Sequence, residues 1–213
     1  MIVDAVLFDL DGTLLDTQRL YAASYHHAFV TELAEPPTLE QFAARRPASE
    51  RLFLLEWYGE EVGERLHRRM LEHYEARAAE LLGGFYDGVT ALLDALRARG
   101  VPLAIVTGKS RRGYEITSAH VDLSGFEVVV VEDDVPAAKP DPAGIVRAHA
   151  ALGGGRAVYV GDTPMDAEAA TRAGVQPAAA LWARPPGDRA RVAARLGDGV
   201  WPLHAPEELL TRL

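Results

Sequence analysis

Cysteine is absent from the 213 residues, which excludes disulfides and thiolate metal sites. Lysine is almost absent: Lys109 and Lys139 are the only two, although lysine and arginine together number 22. Those 22 are outnumbered by 31 acidic residues, leaving a net charge of -9. That balance argues against a nucleic-acid partner, whose phosphates need a basic face, but not against a small anion held by local positive groups. No stretch approaches the roughly 18 apolar residues of a membrane span. The opening Met1-Ile2-Val3-Asp4 carries no basic stretch ahead of a long apolar one, so no secretory leader is expected. A cytoplasmic, soluble protein follows as the expectation, with neither membrane nor nucleic acid as partner. Internal repeats and low-complexity linkers are also lacking.

What is present is apolar residues, at 48%, enough for one large core or a core with a small insert. Five apolar runs read as buried strands: 3–8, 102–106, 127–131, 157–160 and 178–181. Helical periodicity occupies 88–99 and 142–152. A third helix, over 164–173, begins with Pro164 at a plausible first position. This alternation predicts an α/β fold, a Rossmann-like three-layer α/β/α core with a parallel sheet. Residues 16–82 break the rhythm and read as helices over 17–33, 39–45, 49–58 and 61–82. The expected division is a core of residues 1–15 and 84–213 with a helical cap, residues 16–83, inserted through two short crossings. Such crossings make a hinge, so opening and closing over a crevice is expected.

The polar residues of interest follow the expected strands. Asp9 and Asp11 come directly after the first, in Phe8-Asp9-Leu10-Asp11-Gly12-Thr13, and Gly12 allows a sharp exit and close approach of a ligand. Ligands of open parallel sheets bind outside the carboxyl ends of the strands, so both carboxylates should face one crevice. Thr107-Gly108-Lys109-Ser110 follows the second strand, where N–H groups opening a helix favour an anion. Lys139 stands in a loop among small residues and prolines, and a lysine in an arginine-rich chain suggests that a compact charge matters there. For Lys109, chance or a surface role stands about level with a functional one. Gly161-Asp162-Thr163-Pro164-Met165-Asp166 adds two further carboxylates at a strand-to-helix turn. Like charges about 4 Å apart repel by roughly 4 kcal/mol each at an effective dielectric of 20. A hard divalent cation removes that problem, and all-oxygen donors point to Mg²⁺.

With these motifs in this order, the chain resembles the haloacid dehalogenase superfamily of phosphatases. The resemblance covers the whole chain, type 1 cap position included, and is strongest to the phosphoglycolate phosphatase-like group. It implies a phosphatase acting on a small phosphorylated metabolite, with Asp9 as the nucleophile that becomes an aspartyl-phosphate. Asp11 would then be the acid and base, starting protonated with help from neighbouring negative charge. The resemblance further implies phosphate binding by Thr107 and Gly108, and Lys139 bridging Asp9 and the phosphoryl group. Mg²⁺ would be held by Asp9, Asp162 and the carbonyl of Asp11, while Asp166 would hold a metal-bound water or orient Lys139.

Among relatives, dehalogenases lack an equivalent of Asp11, and phosphonatases use a cap lysine that this chain does not have. Sugar phosphomutases of the β-phosphoglucomutase type are the runner-up, but usually place a histidine where this chain has Tyr21. A non-catalytic regulatory homologue is a third reading, disfavoured because Asp9, Asp11 and Lys139 are all kept. The cap loop departs from the pattern by carrying Arg45 where relatives have glycine, and Asp87-Gly88 replaces Pro-Gly. Asp16 is expected to cap the first cap helix. Arg45, Arg46, Arg51, Arg68, Arg69, His67 and His73 are expected to form mostly a solvated face, with one or two reaching an anionic leaving group. Trp57 and Tyr58 are expected in the core or at an interface rather than against a ligand. Monomer and homodimer remain equally open.

Overall fold

The computed structural model describes residues 3–44 and 49–213. Six parallel strands form one sheet in the order β3-β2-β1-β4-β5-β6. They are β1 (Ala5–Phe8), β2 (Leu103–Val106), β3 (Val128–Val130), β4 (Ala157–Gly161), β5 (Gln176–Ala180) and β6 (Trp201–Leu203). The central strands are apolar throughout because both faces are covered. Val6, Phe8, Leu103, Ile105, Val158 and Val160 face one layer, whose helix α5 (Val89–Ala98) contributes Leu92, Leu93 and Leu96. The alternate residues Ala5, Leu7, Ala104, Val106, Ala157 and Tyr159 face the other layer. There α7 (Ala143–Ala151) supplies Ile145 and Ala148, and α8 (Pro164–Arg172) supplies Ala169 and Ala170. The result is the expected three-layer α/β/α core.

The strand order reverses direction at β1, so the crevice of the sheet opens where β1, β2 and β4 end. Four helices intervene between β1 and α5: α1 (Gln18–Glu32), α2 (Leu39–Ala44), α3 (Leu52–Tyr58) and α4 (Glu60–Leu81). They bury a core of their own, with Leu20, Phe29, Phe53, Leu66, Met70 and Tyr74, onto which Trp57 and Tyr58 pack. Ile116 of α6 (Arg111–Ser118) joins that cluster, so the four helices rest on the sheet domain rather than standing clear of it. The two chain crossings are tied together: Asp16 N–H donates to Gly84 O at 2.9 Å and Gly83 N–H donates to Asp16 O at 2.8 Å. Asp16 Oδ1 also accepts Gln18 N–H at 3.3 Å, at the start of α1.

Among the described residues, three of the strands and α-helices lay outside the sequence expectation. β6 is a three-residue edge strand carrying Pro202, tolerated because an edge needs only one set of ladder bonds. Helices α9 (Pro186–Ala193) and α10 (Glu208–Arg212) close the carboxyl-terminal part. No helix among the described residues is long and apolar enough to cross a membrane.

Candidate active site

β1 delivers Asp9 to the crevice, and its N–H donates to Val160 O at 2.8 Å, which locks the β1 exit against β4. Gly12 turns the chain away with φ of 78°, a left-handed conformation costly to other residues. A Cβ at Gly12 would stand 3.0 Å from the Asp162 carboxylate. Gly12→Ala should therefore lose about 1–2 kcal/mol from backbone conformation alone, lowering the melting temperature by several degrees, and should push Asp162 out of place. Thermal melts of the two proteins check this, and identical melting would contradict it.

Lys139 arrives from the loop between β3 and α7. Its ammonium donates to Asp9 Oδ1 at 2.8 Å, Asp166 Oδ1 at 2.6 Å and the Tyr159 hydroxyl at 3.0 Å. Both oxygens of Asp166 are engaged, Oδ2 by the N–H and hydroxyl of Thr163 at 3.0 and 2.5 Å in a capping box that opens α8. Asp162 follows β4 and accepts from the Arg184 guanidinium at 2.9 Å. Oxygens of Asp9, Asp162 and Asp166 lie within 4.8 Å of one another.

Two buried carboxylates, Asp9 and Asp166, and the half-buried Asp162 crowd about one ammonium and cannot all keep their charge comfortably. Burial first, and then the charges of Asp166 and Asp162, push Asp9 well above the usual carboxylate range, against the pull of Lys139. Burial and the charge of Asp166 raise Asp162 to about 7, against Arg184 and Lys139. Burial opposes the charge of Asp166 too, but Lys139 and Thr163 win, and it is held below the ordinary value. Lys139 stays firmly protonated: burial disfavours its charge, and Asp166 and Asp9 more than compensate. The surplus negative charge thus falls on Asp9 and Asp162. A hard divalent cation fits that pair: all donors are oxygens, and further positive charge relieves what Lys139 and Arg184 leave uncompensated.

The linkage has a definite sign. Asp162 binds its proton more tightly folded than unfolded, so metal-free stability falls as pH rises from about 4 to about 7, by at most on the order of 4 kcal/mol. A divalent cation such as Mg²⁺, if held by these carboxylates, would compete with that proton, so any stabilisation by it should be larger at pH 8 than at pH 5. Melting curves with Mg²⁺ and with chelator at the two pH values test this, and an equal gain at both would contradict it.

The opposite wall comes from β2 and the helical layer. Thr107 is buried at the β2 exit, its Oγ1 accepting the Lys109 N–H at 3.2 Å, and Gly108 lines the same crevice. The anion at the N-terminus of α6 is the protein's own. Glu50, preceding α3, accepts the Ser110 N–H at 2.9 Å and the Ser110 hydroxyl. In return Glu132, after β3, accepts the N–H groups of Glu50, Arg51 and Leu52 at 2.7, 2.9 and 2.9 Å. Two carboxylates are thus exchanged across the boundary, each on a helix start of the other side. Burial works against the Glu50 charge, but His67, Lys109 and Ser110 outweigh it and bring the pKa to about 2. His67 Nε2 stands 3.5 Å from Glu50 Oε2, longer than a well-formed hydrogen bond.

Several expectations change with the geometry. Lys109, given no firm role, is fully buried beneath the helical layer, 3.3 Å from Asp11 Oδ1. Among the described residues the ion pair that Asp11 makes is thus with a cation, whereas the expectation rested on neighbouring negative charge. His67, expected on a solvated face, is buried beside Glu50. Arg51 pairs with Glu64, and Arg69 with Glu32 and Glu72, so these arginines are committed away from the crevice. Arg45 and Arg46, with the departure from the expected cap loop, fall outside the described residues. Tyr159, Glu50, Glu132 and Arg184 were not anticipated; each acts on a partner remote in sequence and carries no local motif.

The crevice holds about 220 Å³ and is lined by Asp9, Asp11, Thr107, Lys139 and Asp162 below and by Tyr21, Tyr25 and Phe42 above. Gly108 and Asp166 line it too, so the strand-end residues Asp9, Asp11, Thr107, Gly108, Lys139, Asp162 and Asp166 share one crevice, whereas Arg51, Arg69 and His67 do not line it. The sequence model of the Haloacid dehalogenase-like hydrolase family matches residues 6–180. Pyrophosphatase PpaX of Bacillus velezensis is 32% identical over 200 residues, covering 84% of each chain. A phosphoglycolate phosphatase of Cereibacter sphaeroides is 33% identical over 179 residues, covering 80% of this chain and 82% of the relative. Among solved structures, CbbY from Rhodobacter sphaeroides in complex with phosphate superposes with a TM-score of 0.80 at 21% identity, covering 98% of this chain and 96% of that one. A β-phosphoglucomutase from Clostridium difficile gives 0.71 at 17%, covering 84% of each.

Proposed function

Because the chain belongs to the haloacid dehalogenase-like hydrolase family, and is thereby an enzyme acting on phosphoric monoesters, we propose that it is a Mg²⁺-dependent phosphatase of a small metabolite working through an aspartyl-phosphate on Asp9. The observation that carries this reading is Lys139, whose ammonium bridges Asp9 and Asp166 beside Asp162 at the sheet's crevice. In the first step an Asp9 oxygen attacks phosphorus, and the bond to the leaving oxygen breaks as Asp11 gives that oxygen its proton. In the second, water attacks phosphorus and gives its proton to Asp11, and the bond to Asp9 breaks. Lys139 holds the Asp9 carboxylate in line and offsets its repulsion of the incoming dianion. Asp166 and Tyr159 fix that ammonium from behind. Thr107 and the N–H of Gly108 receive the phosphoryl oxygens. Asp9, Asp162 and the carbonyl of Asp11 would hold the Mg²⁺, which when bound neutralises the charge of the transferring group.

Residues 16–83 act in this reading as a cap on a core of 1–15 and 84–213, and the tied crossings are the hinge. A 220 Å³ crevice under a seated cap suits a small substrate, such as the phosphoglycolate named for one relative, rather than a macromolecule. Assay with a chromogenic aryl phosphate, with and without chelator, tests the chemistry. Turnover that requires Mg²⁺ supports it, and turnover indifferent to chelator counts against it. A panel of phosphorylated metabolites then finds the substrate. Release of free phosphate rather than an isomerised sugar phosphate separates a phosphatase from a mutase.

A further inference from the structure

Lys109 is a fully buried cation to which the chemistry above gives no task. Its ammonium lies 3.3 Å from Asp11 Oδ1, an oxygen with no hydrogen-bond partner among the described residues. Its other neighbours come from the helical layer. It donates to the hydroxyls of Tyr21, on α1, and of Tyr74, on α4, the latter at 3.2 Å, and lies 3.8 Å from Glu50 Oε1. The rings of Tyr21 and Tyr74 flank it, with centroids at 4.3 and 4.6 Å. These neighbours are themselves fixed: the Tyr21 hydroxyl donates to Glu50 Oε1 at 2.8 Å, and the Tyr74 hydroxyl meets Thr117 Oγ1 at 3.1 Å.

A lysine stem is flexible, and its ammonium stays at one point only when several groups hold it. Here Tyr21, Tyr74 and Glu50 do so, and all three belong to the helical layer. Asp11 belongs to the sheet domain and, among the described residues, has no other cation within ion-pair distance. We propose that Lys109 is a positioning residue: held by Tyr21, Tyr74 and Glu50 when the helical layer is seated, it holds the Asp11 carboxyl where proton transfer to and from the substrate takes place. Seating of the cap and readiness of the acid are thereby one event. This rests on the acid–base role of Asp11 given above.

The role predicts a dependence on the leaving group that a merely structural residue would not show. A p-nitrophenolate leaves without a proton, whereas an alkoxide needs one as the bond to phosphorus breaks. Lys109→Met should therefore lower kcat for 2-hydroxyethyl phosphate about 10²-fold or more, with KM little changed. With p-nitrophenyl phosphate the first step survives and the second, which needs Asp11 as base, is slowed. The variant should release a burst of nitrophenolate near one equivalent, followed by slow turnover. Equal losses on the two substrates without a burst, or no loss at all, overturn the proposal. Should Lys109→Met fail to fold, Tyr74→Phe keeps the ring, removes one of the ammonium's anchors and should show the same bias at smaller size; its absence there would be equally decisive. Asp9→Asn run alongside separates the two claims. If it is inactive while the Lys109 and Tyr74 variants show no bias, only the positioning role fails. If it remains active, the underlying reading fails.

Discussion

Asp9→Asn is expected to lower kcat at least about 10⁴-fold, the scale on which loss of a covalent nucleophile is felt. The amide keeps the shape of the carboxylate but can neither attack phosphorus nor form the ester. The same substitution should leave the metal-free protein as stable as the parent or more so. In the parent, burial and the charges of Asp166 and Asp162 make ionised Asp9 unfavourable, and a neutral amide removes that burden. The melting-temperature gain from Mg²⁺ should shrink in parallel, because one ligand is lost. Inactivity together with undiminished folding distinguishes a chemical lesion from a structural one, and activity near the parent's would end the nucleophile assignment.

Lys139→Met should cost both stability and activity. The ammonium is the shared partner of Asp9 and Asp166, and removal of one member of a buried ionic cluster leaves uncompensated charge, typically costing about 3–5 kcal/mol. For a chain of this size that lowers the melting temperature by roughly 10 °C. Part of the loss should be recoverable with Mg²⁺, which in the proposed reading would supply positive charge to the same carboxylates, so the metal-induced gain should exceed that of the parent. Activity is expected to stay at least about 10³-fold down even at saturating Mg²⁺, because the dianion then approaches Asp9 without the ammonium between them. Melting like the parent, or metal rescue of turnover to near the parent's rate, would contradict the bridging role.

The strands were legible because β1, β2 and β4 are apolar runs buried on both faces, which leaves little else for such runs to do, and β3 and most of β5 are apolar as well. β6 was not, since Trp201-Pro202-Leu203 is too short for periodicity and contains a residue that argues against a strand. The crevice was legible for a related reason. Asp9, Thr107 and Asp162 each follow a strand directly, so a parallel topology brings them together without further information. The network of Glu50, Lys109 and Glu132 has no such local cause. Glu50 meets Ser110 across 60 positions and Glu132 across 82, and an acidic residue near a helix start looks the same whether it caps its own helix or another. Lys109 was ambiguous because the apolar and aromatic surroundings that bury it come from α1 and α4. Tyr159 reads as one more residue of an apolar strand, and only the packing of α8 turns its hydroxyl toward Lys139 and Asp166.

The central claim is that phosphorus passes through Asp9. Rapid quenching of the enzyme during turnover, followed by peptide mass analysis, tests it most directly. The account predicts one acid-stable, base-labile phosphoryl group on the peptide containing Asp9, formed only with Mg²⁺ present and absent from Asp9→Asn. A phosphoryl group found on another residue, or turnover at the full rate with none on Asp9, would contradict it.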